Sequence, residues 1–204
     1  MDQQQKLADA QKGLRPARDS RDLALFRFQE SLVRSQRARA AATGPRSRLS
    51  FVPRPYPPCV VPLSELHKTR IDDLLLETHH RGTYLLVRSL MSQGREAAVK
   101  AVVEDEDGEV VVVHLHHQAD DGGEPVVREG TVMILKEPFL KVMTDGSPAL
   151  RVDHPSDVVF LPADDRRVPA AWRRKSHLSG TALAWKAQGD KHLNKSEYRS
   201  AIKW

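Results

Sequence analysis

The sequence predicts an α+β chain: a small antiparallel β-barrel with a leading helix, followed by the start of an α-helical repeat. Three observations predict it. Between residues 83 and 161 short runs alternate apolar and polar side chains, the two-residue period of half-buried strands. Just before Gly82 the period lengthens, with Leu66, Ile71, Leu74 and Leu75 at near-helical spacing. At the far end Trp185, Gly189, Leu193, Tyr198 and Ala201 fall at the intervals of a two-helix repeat.

Bulk properties narrow the class. The 204 residues carry a net charge of +5, but the charge is segregated. Residues 1–50 are net +6, residues 51–165 net −9 and residues 166–204 net +8. The segment expected to fold is therefore acidic between basic flanks, and the average misdescribes it. A single cysteine, Cys59, excludes an internal disulfide framework and a cysteine-rich zinc module. No apolar run approaches the roughly 18 residues of a membrane helix, and MDQQQKLADAQKG has no secretory h-region. These features predict an intracellular protein of nucleus or cytoplasm with no membrane partner.

Taken in order, residues 1–50 are basic and largely without a core pattern, with one amphipathic helix expected over residues 19–42. Asp19 or Ser20 would cap it, and Leu25, Phe26, Phe28, Leu32 and Val33 would form its apolar face. Phe51–Pro62 holds five prolines and reads as an extended linker. The barrel domain is expected over residues 63–161. Ser64–Arg81 is its leading helix, with Ser64 as cap and Gly82 as stop. Thr83–Met91, Ala97–Glu104 and Glu109–Gln118 are strands, the last two joined across Asp105-Glu106-Asp107-Gly108 as a hairpin. After the polar stretch Ala119–Gly130, strands resume at Thr131–Leu135, Leu140–Met143, Ala149–Val152 and Val158–Leu161. A three-stranded meander, a break and further strands give the order of an OB-like barrel. Residues 162–181 form a basic linker, and residues 182–204 the truncated first repeat of tetratricopeptide type. A repeat of this kind needs neighbours to bury its faces, so the chain reads as the front of a longer protein.

The barrel invites a nucleic-acid reading, which charge and aromatics disfavour. Residues 83–161 hold only Tyr84, Phe139 and Phe160 as aromatic rings, and a net negative domain repels the phosphates on which affinity rests. His114 and His116 lie on one face of their strand, a spacing that can chelate zinc. Alternation with Val111, Val113 and Leu115 on the core side explains them as a solvated edge without a metal. The carboxylates Glu104–Glu109 sit at a hairpin tip and read as solvated, and Cys59 lies in a linker. No nucleophile elbow, phosphate loop or dinucleotide fingerprint occurs. The expectation is no catalytic residue, no cofactor and no metal.

Four phrases carry a family resemblance: LLLETHHRGTYLLVRSL (Leu74–Leu90), AVVEDEDGEVVVVHLHHQ (Ala101–Gln118), VMILKEPFLKVMTDG (Val132–Gly146) and LRVDHPSD (Leu150–Asp157). With the repeat start behind them, the chain resembles the N-terminal half of fungal proteins that join tetratricopeptide repeats to a SET domain. The resemblance implies a protein-lysine methyltransferase using S-adenosylmethionine. Its Asn-His hallmark has no counterpart, because the one asparagine, Asn194, precedes Lys195. Some repeats of this type clamp a carboxylate with a lysine and an asparagine four residues on. Lys186 matches the lysine, but Asp190 replaces the asparagine and would repel the ligand.

The functional expectation is a non-catalytic, non-enzymatic protein-interaction or scaffold module, with protein partners and with Lys186, Arg173 and Arg174 as weak partner-binding residues. The alternatives are nucleic-acid binding through Arg34, Arg37 and Arg39 or through Arg173, Arg174 and Lys175, and a parent protein that is a lysine methyltransferase.

Overall fold

A computed structural model describes residues 9–41, 55–93, 98–118, 126–143 and 145–173. The chain divides into two compact units, Met1–Trp172 and Arg173–Trp204, and only Arg173 of the second is described. The repeat expected over residues 182–204, with Lys186, lies outside the described residues, as does Arg174.

The structure is mixed α and β, and mostly sheet. Among the described residues a long helix, α1 (Arg21–Ala41), precedes nine strands. These are β1 (His67–Thr69), β2 (Thr78–His79), β3 (Thr83–Gln93), β4 (Val99–Glu104), β5 (Val110–Leu115), β6 (Val132–Lys136), β7 (Phe139–Val142), β8 (Pro148–Val152) and β9 (Val158–Leu161). Their order is β2-β7-β8-β5-β4-β3-β6-β9, with β1 added to β3.

The expected barrel of antiparallel strands needs correction. Two ladders are parallel, β1 with β3 and β5 with β8, and the path of ladders is open, ending at β2 and β9. The parallel β5/β8 pair arises because the chain leaves β5, crosses to β6 beside β3, and returns through β7, so β8 meets β5 running the same way.

The leading helix expected over Ser64–Arg81 does not form. That stretch is a 3-10 turn at Leu63–Glu65, β1, a second 3-10 turn at Ile71–Asp73, and β2. Tertiary bonds outbid the local pattern. β1 pairs with Thr83–Leu85, the Ile71 N–H donates to the Asp105 carboxylate at 2.9 Å, and Arg18 donates to the Ile71 carbonyl. Ile71 and Leu74, both fully buried, need only one tight turn to face the same core. Gly82, expected as a helix stop, instead has φ +73° in the turn into β3.

Alternation decides what the sheet buries. Leu85 and Val87 of β3, Val99, Ala101 and Val103 of β4, Val111, Val113 and Leu115 of β5, and Met133 and Leu135 of β6 join one central core. The opposite faces are also covered. Leu86, Val132 and Ile134 pack with Leu161 and Val168, flanked by Leu63 and Trp172. Val102 and Val110 pack against Phe28 of α1, with Ala24, Leu25 and Leu32 beside it.

α1 thus buries a narrower stripe than the sequence predicts. The Leu23 N–H donates to Ser20 Oγ at 3.4 Å, so Ser20 is the cap. Phe28 is buried, while Phe26 and Val33 face outward and are 58% and 41% exposed. Phe28 is the deep anchor among the described side chains of α1, and Phe28→Ala should cost about 3 kcal/mol by urea unfolding, within the usual range for a buried phenylalanine. A loss below about 1 kcal/mol would show that α1 is not seated on the sheet.

Candidate binding groove

The helix does not seal the sheet. Between α1 and the outer face of β5 runs a groove of about 610 Å³, also lined by Asp145, Gly146 and Ser147 between β7 and β8. Its floor is Val110, Val112, Leu140 and Pro148, and its helix wall is Ala24, Phe28, Ser31 and Arg34. The volume falls within the range of ligand sites.

The charges lining it divide into occupied and unoccupied ones. Arg27 donates to both oxygens of Asp19 at 2.7 and 2.6 Å, and Arg18 pairs with Asp72 at 3.0 Å. Asp145 accepts from the Ser147 N–H and hydroxyl at 3.0 and 2.6 Å. Arg34 and Lys100 form no ion pair with a described residue. Lys100 stands directly opposite His114 in the β4/β5 register, and His114 opposite Arg151 in the β5/β8 register. Directly opposed residues share a face, so three basic side chains cross three strands in one row.

His114 corrects the sequence reading of a solvated edge. Burial, with help from the Lys100 charge, pushes it down to about 4, so it is neutral near pH 7. Burial likewise lowers His116, whose strand end lies beside β8. No group of three or more metal-ligating side chains occurs among the described residues. Alternation could not reveal what covers the outer face, because α1 comes from far away in sequence.

The hairpin-tip carboxylates also need correction. Glu104 and Asp105 are buried. Glu104 accepts from Arg88 and from Arg21 at 3.1 Å, with Trp172 lying 5.3 Å from the Arg88 guanidinium. Asp105 accepts the N–H groups of Asp107, Glu109 and Ile71. A smaller cleft of about 320 Å³ beside them is lined by Lys68 and Arg70. Its charges cancel across it, Lys68 with Glu106 and Arg70 with Asp73 and Asp107.

The proline-rich stretch is docked where it is described. Residues 55–62 run extended over the sheet edge. The Cys59 N–H donates to Asp157 at 3.0 Å, and the Asp153 N–H donates to the Tyr56 hydroxyl at 3.0 Å. Tyr56 packs edge-on against His79, Phe139 and His154, with ring centroids 4.5, 6.1 and 5.5 Å away. Burial raises the Tyr56 phenol well above its ordinary value, so it stays protonated.

Of the residues the sequence singled out for partner binding, only Arg173 is described, and it is exposed. Arg34 and Arg37 are exposed on α1. Sequence reasoning missed Lys100, which lies within an alternating strand and signals nothing until its register partner is known.

These features define a mostly β domain whose outer face carries a helix-walled, partly basic groove. No protein-family profile matches the chain. It is similar to a fungal protein named methyltransferase, from Gibberella zeae (strain PH-1), with 45% identity over 134 residues. The match covers 64% of this chain and spans 18% of the relative's length. This finding overturns the expectation of a non-catalytic, non-enzymatic scaffold and favours the alternative of a methyltransferase parent. No described helix is long and apolar enough to cross a membrane.

Proposed function

We propose that the chain is a domain of a protein-lysine methyltransferase of the kind that joins tetratricopeptide repeats to a SET domain. The 134-residue match to a protein named methyltransferase carries this reading. The order of the four sequence phrases supports the finer assignment, since all four fall on the sheet and its connections. An OB-like reading of the domain draws support from the strand order. β3, β4 and β5 form a meander, β5 pairs in parallel with β8, and β6 and β7 pair with β3 and β8 on either side of Glu137-Pro138. Glu137 holds that corner at φ +46°. Its carboxylate is desolvated, but the Gly82 N–H at 3.0 Å and Arg81 outweigh the burial and lower its pKa.

The residues present do not fit the methyl donor. The Asn-His pair is absent, and two of the acids lining the groove, Asp19 and Asp145, are already engaged by Arg27 and Ser147. No step of methyl transfer is therefore placed on these residues.

The test uses the full-length product of the gene with tritium-labelled S-adenosylmethionine and a fungal protein extract as acceptor. Label recovered on lysine side chains after hydrolysis is the expected result. Label confined to small molecules or nucleic acid, or no transfer by the folded protein, would overturn the reading.

A further inference from the structure

We infer that the groove between α1 and β5 binds an extended, acidic segment of a polypeptide. The inference stands on the groove itself and does not depend on the methyltransferase reading.

Five features point to this ligand. The groove follows one face of α1 from Ala24 to Arg34, a rise of about 15 Å at roughly 1.5 Å per residue. A chain of about five extended residues matches that length at roughly 3.3 Å each. The floor of Val110, Val112, Leu140 and Pro148 suits the apolar side chains of an alternating strand. Arg34 of α1 and Lys100 of β4, without ion pairs to described residues, suit two carboxylates of its polar side. The acids that could repel such a ligand are engaged, Asp19 by Arg27 and Asp145 by Ser147, leaving Glu30 on the rim. Neutral His114 between Lys100 and Arg151 keeps the floor from carrying a third charge while offering ring nitrogens that make no hydrogen bond to a described group.

The observations favour a peptide over a nucleic acid. Nucleic-acid affinity needs many phosphates neutralised and rings free to stack. Among the described residues two lining cations lack an ion pair, the rings lining the groove are Phe28 and half-buried His114, and Phe28 is buried against Val102 and Val110. Tyr56, His79 and Phe139 pack on one another away from the groove walls.

The experiment uses the full chain and a fluorescein-labelled, end-capped peptide of about nine residues alternating leucine and glutamate. Fluorescence anisotropy is read at low and physiological salt. The expected result is saturable binding that weakens about tenfold or more in Lys100→Glu and in Arg34→Glu. Lys68→Glu, in the smaller cleft, should leave it unchanged. Arg34 is exposed, so its variant folds even if Lys100→Glu does not, and thermal melts report the fold of each. Failure of the glutamate peptide to bind, or equal binding by its lysine counterpart, would overturn the inference. So would an oligothymidylate that binds more tightly and is lost in the same two variants, which would make the groove a nucleic-acid site.

Discussion

Asp153→Ala is expected to lower the stability of the β domain by about 4 kcal/mol and its melting temperature by about 10 °C. Asp153 is fully buried and sits at the junction of three segments. Its two oxygens take Arg151 Nε and Nη2 at 2.7 Å each, a bidentate pair of the strongest kind. The same carboxylate accepts the Tyr56 N–H at 3.3 Å, and the Asp153 carbonyl bonds the His117 ring at 2.9 Å. Alanine leaves the Arg151 guanidinium, with only 16% of its side chain exposed, without its counter-charge. The docked segment at Tyr56 loses its N–H bond to that carboxylate in the same step, while the bond from the Asp153 N–H to the Tyr56 hydroxyl is kept. Removing both charges is expected to cost much less, because the penalty comes from the uncompensated ion. The double variant Arg151→Met/Asp153→Leu should recover most of the loss. A shift of under about 2 °C in the single variant, or a double variant no better than the single one, would show that the pair is not what holds this corner.

The second large effect is on acid stability. His79, His80, His114 and His116 all have folded pKa values below the ordinary histidine range, each chiefly through burial, with His114 at about 4. In the unfolded chain these imidazoles titrate near 6.5. Between that value and the folded value, the unfolded state holds protons that the native state refuses. Stability is therefore full above about pH 7 and falls as the pH drops from 6.5 towards 4. His114 alone should remove about 2 kcal/mol by pH 4.5, after discounting for its partial exposure. The raised Asp157 carboxyl, desolvated by burial, acts in the opposite sense. Glu137 and Asp145, held low, extend the loss below pH 4.5. Urea unfolding at pH 7.0 and pH 5.0 reads the effect, and His114→Gln should flatten part of the slope. Stability that is level or rising on acidification would refute the assignment.

Both effects depend on long-range neighbours. The strands were legible because alternation is a local property: Val111, Val113 and Leu115 reach the core from sequence positions that alone predict it. The hairpin across Asp105–Gly108 is local for the same reason, since Gly108 at φ +84° supplies the turn that its sequence advertises. Ser64–Arg81 failed because its apolar spacing fits a helix and a pair of tight turns equally. Bonds from Asp105 and Arg18, and pairing to β3, chose the turns. The buried Glu104 shows the same limit. Next to a turn and among five acids it reads as solvated, until Arg21 and Arg88 arrive from either side.

The groove was less legible than the sheet. Lys100 and His114 became neighbours only through the β4/β5 register, and Arg34 joined them only when α1 lay down on that face. By itself the sequence determined which residues alternate, where the turns fall and how charge is segregated along the chain, because each is written in spacings of a few residues. Tertiary structure alone decided the parallel β5/β8 pairing, the covered outer face and the charges left unpaired beneath α1. Those follow from contacts between residues tens of positions apart, where partner, register and burial are set by packing and leave no local period to read.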